Sequence, residues 1–157
     1  MPEEFMRQAL ELAQTALLFG DVPIGAVIVR GGEIVGKGYN TTQRDKDPTG
    51  HAEMNAIRDA AKRLGGWRLP GCSMYVTIEP CSMCAGAIVI SRIEKLYIGS
   101  LDPKAGACVS LSNITTDDRL NHQVELFTGV LEEECSQIVK DFFRQLRNKK
   151  KQSEEDK

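Results

Sequence analysis

Two short segments well apart in the chain, His51-Ala52-Glu53 and Pro80-Cys81-Ser82-Met83-Cys84, constrain the fold more than any other feature. The first supplies an imidazole and a carboxylate, and the second two thiols three residues apart. Together they offer three good zinc ligands, His51, Cys81 and Cys84, and one acid, Glu53, that need not be a ligand. Three protein ligands leave a tetrahedral metal one open position, and an open position separates catalytic zinc from structural zinc. Residues two apart do not share a face of a regular helix, so His51 and Glu53 can serve one metal only where a helix begins. His51 follows Pro48-Thr49-Gly50, which is such a place. Cys81 and Cys84 do share a face, and Pro80 stands at an allowed helix-start position. Two helix N-termini are therefore expected to meet at the metal, where their partial positive charge favours thiolates.

A closed structural zinc would need a fourth ligand from Cys72, Cys108, Cys135 or His122. None of these lies in a second CxxC or HxxxH pair. Glu53 would then be an ordinary helix-start acid. The joined pattern favours the open site, with one zinc per subunit. Cys72, Cys108 and Cys135 have no repeated spacing and read as small buried hydrophobes, not as a disulfide framework.

The 157 residues suit one domain, taken as 1–150, with 151–157 as a polar tail expected to fray. Charged residues at 27% and hydrophobic ones at 41% describe a soluble globular balance. No apolar run approaches the length of a membrane span. Met1-Pro2-Glu3-Glu4-Phe5 lacks the start of a signal peptide, so a cytoplasmic location is expected. The net charge of −2 argues against nonspecific coating of nucleic acid, and no DNA partner is expected. It leaves room for a local basic patch, and Lys140, Arg144, Arg147, Lys149, Lys150 and Lys151 face only Asp141 in their stretch.

Apolar residues at three- and four-residue steps predict a helix over Glu3 to Phe19, ended by Gly20-Asp21 and Pro23. Val22 to Val29 and Glu33 to Tyr39 predict a hairpin through Gly31-Gly32, its first strand apolar enough for burial on both faces. Asn40 to Gly50 reads as a polar loop. Helices follow from His51 to about Leu64 and from Cys81 to about Arg92, flanking a strand from Ser73 to Ile78. Lys95 to Ser100 and Val124 to Phe127 are the last strands, separated by a long loop. A closing helix runs from Val130 to about Lys149. This α-β-β-α-β-α-β-β-α order implies an α/β protein: a mixed five-stranded sheet with helices on both faces, in three layers.

The two segments and their surroundings resemble the bacterial tRNA-specific adenosine deaminase (TadA) family, whose fold is the cytidine-deaminase-like α/β/α sandwich. The spaced His-x-Glu and Pro-Cys-x-x-Cys are the signature of zinc deaminases acting on nucleobases. The resemblance runs from about Phe5 to Arg147. It includes Asp21-Val22-Pro23-Ile24-Gly25-Ala26-Val27, Gly38-Tyr39-Asn40, Asp47-Pro48-Thr49, Thr77 to Ala87, Ser91-Arg92-Ile93, Asn121-His122 and Asp141-Phe142-Phe143-Arg144. The departures, Gly50 before His51, Pro103 after Asp102 and Cys108, fall on loops.

The resemblance implies hydrolytic deamination of adenosine to inosine at the wobble position of a tRNA anticodon, that of an arginine tRNA being expected, by a homodimer. Glu53 would be the catalytic proton shuttle, between water, the ring nitrogen beside the attacked carbon, and the departing amine. Backbone N–H groups near Cys81 and Ser82 are candidates to meet the developing charge. Asn40 would read the flipped purine, and Pro48, Asp102, His122, Phe142, Phe143, Arg144 and Arg147 would contact the anticodon stem-loop. Stacking and phosphate contact by Phe and Arg suit a splayed single-stranded loop. Several of these have a plainer reading: Asn40 as a turn residue, Asp102 as a loop cap, His122 as structural, and at least one of the two phenylalanines as core. The rival function is a small-molecule deaminase acting on guanine, cytosine or cytidine. A non-catalytic zinc scaffold is opposed by Glu53 and by the missing fourth ligand.

Overall fold

Strand burial dictates the layering. The computed structural model describes residues 1–156. In β1 (Gly25–Arg30), Ala26 and Ile28 pack into one core, while Val27 and Val29 pack into another. In β3 (Cys72–Ile78), Met74 and Val76 join the first core and Tyr75 the second. Strands apolar on both faces must be covered on both. Ala52, Ala56 and Ala60 of α3 (Ala52–Leu64) and Ala85, Ile88 and Val89 of α4 (Ser82–Ile90) cover the first face. Met6 and Ala9 of α1 (Pro2–Leu18) and Cys135 of α5 (Glu132–Glu155) cover the second.

The sheet order is β2-β1-β3-β4-β5, with β2 at Glu33–Tyr39, β4 at Lys95–Ser100 and β5 at Glu125–Thr128. β1 runs antiparallel to both β2 and β3, and β3, β4 and β5 run parallel. The mixed five-stranded α/β sandwich expected from the sequence is therefore present. Tyr75, Tyr97 and Phe127 are register partners on the parallel strands and stack at 4.3 and 4.6 Å between ring centroids.

Helix and sheet approach closely where glycine meets alanine. A side chain on Gly25 would collide with the Ala9 carbonyl oxygen, and one on Gly38 with that of Ala52. These contacts seat α1 on β1 and α3 on β2. The second of them sets where α3 begins, next to His51.

Several boundaries differ from the sequence reading. The first strand starts at Gly25, not Val22, because Val22-Pro23-Ile24 makes its own tight turn, with the Ile24 N–H donating to the Val22 carbonyl at 2.8 Å. The loop after β2 holds a short helix, α2 (Thr42–Asp45), whose start is capped by the buried Asp21 carboxylate. Asp21 accepts from the Thr42 hydroxyl and the Gln43 N–H at 2.8 Å each. The closing helix begins at Glu132 and continues to Glu155, well past Lys149. The residues from Lys151 to Glu155 are thus exposed helix and not a frayed tail, since Lys, Gln and Glu are good helix formers. Lys157, also assigned to that tail, lies outside the described residues. Among the described residues no helix is long and apolar enough to cross a membrane.

Candidate active site

Both halves of the split motif open helices. His51 is the N-cap of α3 and Cys81 the N-cap of α4, each with extended backbone. Pro80 stands just before that cap. His51 does not cap its helix with its own side chain. The Ala52 N–H instead donates to Oδ1 of Asn40 at 2.9 Å, which frees the imidazole to leave the helix. Nδ1 of His51 lies 3.5 Å from Sγ of Cys81 and 3.6 Å from Sγ of Cys84. Zinc bonds of about 2.0–2.1 Å to nitrogen and 2.3 Å to sulfur give a tetrahedral N···S edge of about 3.6 Å. The three side chains therefore fit zinc as they stand.

Among the described residues, His51, Cys81 and Cys84 are the one group of three or more metal-binding side chains with converging ligand atoms. Cys72, Cys108 and Cys135 are buried free thiols outside it, as expected of small apolar residues. The Cys84 thiol, by donating to Cys81, and then the His51 ring hold Cys81 far below the ordinary thiol range. The same contact with Cys81 raises the His51 ring in return.

Glu53, in the first turn of α3, is buried at 4% exposure. Burial first, and the negative charge on Cys81 next, push its carboxyl up to about 7. An acid poised there gains and loses a proton near neutral pH. Asn40 ends β2 and is 7% exposed. Its oxygen is committed to the Ala52 N–H, so its amide NH2 is the part free for a ligand.

The substrate-side residues named from the sequence do not all converge. Asp102, Phe143 and Arg147 line one groove between the loop after β4 and α5, together with Lys104, Val139 and Lys140. The groove continues over Ile24, Ile78, Leu101 and Pro103. Its wall joins the metal side, because the Ile24 carbonyl accepts the Asn40 N–H at 3.2 Å. Asp102 also does the plainer job, its Oδ1 accepting the N–H of Lys104 at 3.1 Å and of Ala105 at 3.3 Å. Arg144 is outside the groove lining and pairs with Asp141 at 2.7 Å. Phe142 is half-buried and meets the Phe143 ring edge-on at 5.2 Å. Phe143 is 40% exposed. Neither ring belongs to the two buried cores. His122 donates from Nε2 to the Ile93 carbonyl at 2.6 Å, a structural contact. Pro48 is exposed in the loop before His51.

Comparison with known proteins places this geometry. Residues 2–147 match the MafB19-like deaminase family. The tRNA-specific adenosine deaminase of Bacillus subtilis (strain 168) is 49% identical over 149 residues, covering 95% of this chain and 92% of the relative. The chain belongs to the tRNA-specific adenosine deaminase family. A solved structure from work on A-to-I editing by tRNA:A34 deaminases superposes with a TM-score of 0.83 at 42% identity, covering 86% of this chain and 98% of that one. A guanine deaminase from Bacillus subtilis superposes at 0.60 with 40% identity, over 63% of this chain and 64% of that one.

Two acids of this deaminase escaped the sequence reading. Asp21 caps α2 and so shapes the loop between Asn40 and His51. Glu79 is buried at the end of β3, inside the loop after β4. Burial opposes its charge, but the Ser110 hydroxyl and the loop N–H groups outweigh that and hold the carboxyl below the usual carboxylate range. The one sequence sign of Glu79 is an acid directly after an apolar strand, a position that more often ends in solvent.

Proposed function

We propose that this enzyme hydrolyses the 6-amino group of adenosine at the wobble position of a tRNA anticodon, giving inosine and ammonia, with an arginine tRNA as the expected substrate. One zinc ion per subunit would be held by His51, Cys81 and Cys84, and the working form would be a cytoplasmic homodimer. The observation that carries the reading is the convergence, among the described residues, of three side chains able to hold zinc, without a fourth, beside the buried acid Glu53. Bound there, zinc supplies a water activated for attack at neutral pH.

The chain's own residues account for the remaining demands. Glu53 takes one proton from the attacking water and gives it to N1 of the purine. It then carries the remaining proton of the new C6 hydroxyl to the amino group, which leaves as ammonia while C6 keeps the oxygen as a carbonyl. The first N–H groups of α4, at Cys81 and Ser82, have no partner within the helix and are proposed to meet the developing charge. Asn40 offers its NH2 to a ring-nitrogen acceptor on the base, because Ala52 already occupies its oxygen. Phe143 and Pro103 give the groove an apolar floor, and Lys104, Lys140 and Arg147 give it a basic rim. Such a surface suits a splayed single-stranded RNA loop. His122, Pro48, Phe142 and Arg144 are proposed as outer contacts of the stem-loop.

The similarity to a guanine deaminase keeps a free-base substrate as the second reading. Both are tested by incubating zinc-loaded protein with an anticodon stem-loop carrying adenosine at the wobble position, and separately with adenosine, guanine and cytidine. Inosine in the stem-loop, with the free compounds intact, is the expected result. Turnover of the free compounds alone would replace the RNA reading.

A further inference from the structure

Glu79 directly precedes Pro80-Cys81 and takes no part in binding metal. Its two oxygens instead gather the loop after β4. Oε1 accepts the Asp102 N–H at 3.0 Å and the Ser110 hydroxyl, and Oε2 accepts the N–H groups of Cys108, Val109 and Ser110 at 3.1, 2.8 and 2.9 Å. A charged carboxylate with this many donors is a strong, directional anchor. The loop has closed tightly on it, since a side chain on Gly106 would collide with the carboxylate. One further bond, from the Ala107 N–H to the Pro80 carbonyl at 2.9 Å, fixes the same loop to the residue before Cys81. The segment so held carries Asp102, Pro103 and Lys104, which form one wall of the groove.

We propose that Glu79 is a positioning residue for substrate: it locks residues 102–110 to the start of α4, so that the groove wall keeps a fixed place relative to the metal ligands. The wall's other supports lie mostly within the loop, in the Asp102 side chain and the bond from the Leu111 N–H to the Gly106 carbonyl, and in the burial of Ala107 and Cys108 in the first core. Asp102 and Gly106 bond one another, through the Gly106 N–H and the Asp102 carbonyl at 2.8 Å, within the loop itself. With the carboxylate gone, four loop N–H groups lose their acceptor together, and the loop must reopen to hydrate them. The effect belongs to substrate binding, since Glu79 touches neither the ligand atoms nor Glu53 in this arrangement.

The proposal rests on the RNA reading, and the test separates the two. Glu79→Gln keeps the size of the side chain but turns a donor toward the loop N–H groups. In the zinc-loaded variant, KM for the stem-loop should rise about tenfold, with kcat falling no more than about threefold. Zinc content should stay at the wild-type level, and hydrogen exchange at Cys108, Val109 and Ser110 should accelerate while the interior of α4 is unchanged. A folded variant with wild-type KM and wild-type exchange overturns the proposal. So does a fall in kcat and zinc content at constant KM, which would put Glu79 in charge of the metal half-site. If Glu79→Gln does not fold, Ser110→Ala decides. It should show a smaller rise in KM with faster exchange in the loop, and wild-type values in both would overturn the proposal. Failure of the wild-type protein to deaminate RNA would defeat the functional reading instead, and loop exchange would still report on the anchor.

Discussion

Glu53 is the buried acid beside the candidate metal ligands, and burial is the first cause that pushes its carboxyl up. Its replacement by alanine should leave zinc at one per chain and lower stem-loop deamination by about 10²- to 10⁴-fold, the usual worth of a positioned acid–base. Metal analysis alongside product detection checks this, and loss of zinc in the variant would recast Glu53 as a ligand. Three other buried groups bear on the alkaline limit of stability. Burial pushes the Tyr75 phenol and the Cys108 and Cys135 thiols up to about 12. The folded protein then holds these protons more tightly than the unfolded chain, so unfolding releases protons. The stability they support is whole below about pH 8.5, the ordinary thiol value, and is lost as pH rises toward 12. Denaturant titrations from pH 8 to 11 should show that decline, and Tyr75→Phe and Cys135→Ala should each flatten it. A slope unaffected by both would reject the assignment.

Among the elements, α3 shows how packing fixes a site. Ala52, Ala56 and Ala60 repeat at four-residue steps, and the helix they line descends onto Gly36 and Gly38 of β2. Gly38→Ala would set a methyl group against the Ala52 carbonyl, one residue from His51. It should cost about 1–3 kcal/mol of stability, as overpacking does, and weaken zinc retention in a chelator competition. Full stability would mean that the helix seats elsewhere. The helices that carry the candidate metal ligands were legible in the sequence because breakers, Gly50 and Pro80, stand immediately before an amphipathic stretch and a continuous apolar one. α2 was not legible, because its cap is the Asp21 carboxylate, contributed by a residue on the far side of a hairpin. Nor was the length of α5, where only the charged residues' helix propensity speaks and no core contact marks the end.

At the scale of the whole molecule, the sheet brings the C-terminal end of β3, the end of β2 and two helix starts to one edge. Ligands settle at such an edge in α/β proteins. The trio of His51, Cys81 and Cys84, which could hold a metal, was readable at a distance in sequence because metal binding demands those residue types. The groove was only half readable. Asp102, Phe143 and Arg147 do line it, with Lys140 of the basic stretch, but Lys104 emerges only when the loop after β4 folds back against α5. Arg144 instead points to Asp141. The double variant Arg144→Ala, Arg147→Ala should therefore weaken stem-loop binding and lower the salt slope by about 1, mostly through Arg147. Binding isotherms from low to high salt check this, and an unchanged slope would move the RNA platform elsewhere.

The proposed open zinc site of three ligands is tested most directly by X-ray absorption at the zinc edge of the loaded protein. The expected first shell has two sulfurs at about 2.3 Å and two nitrogen or oxygen neighbours at about 2.0–2.1 Å, unchanged by Glu53→Ala and by Cys108→Ala. A third sulfur, or a shell altered by either substitution, would show a closed or differently liganded centre and contradict the account.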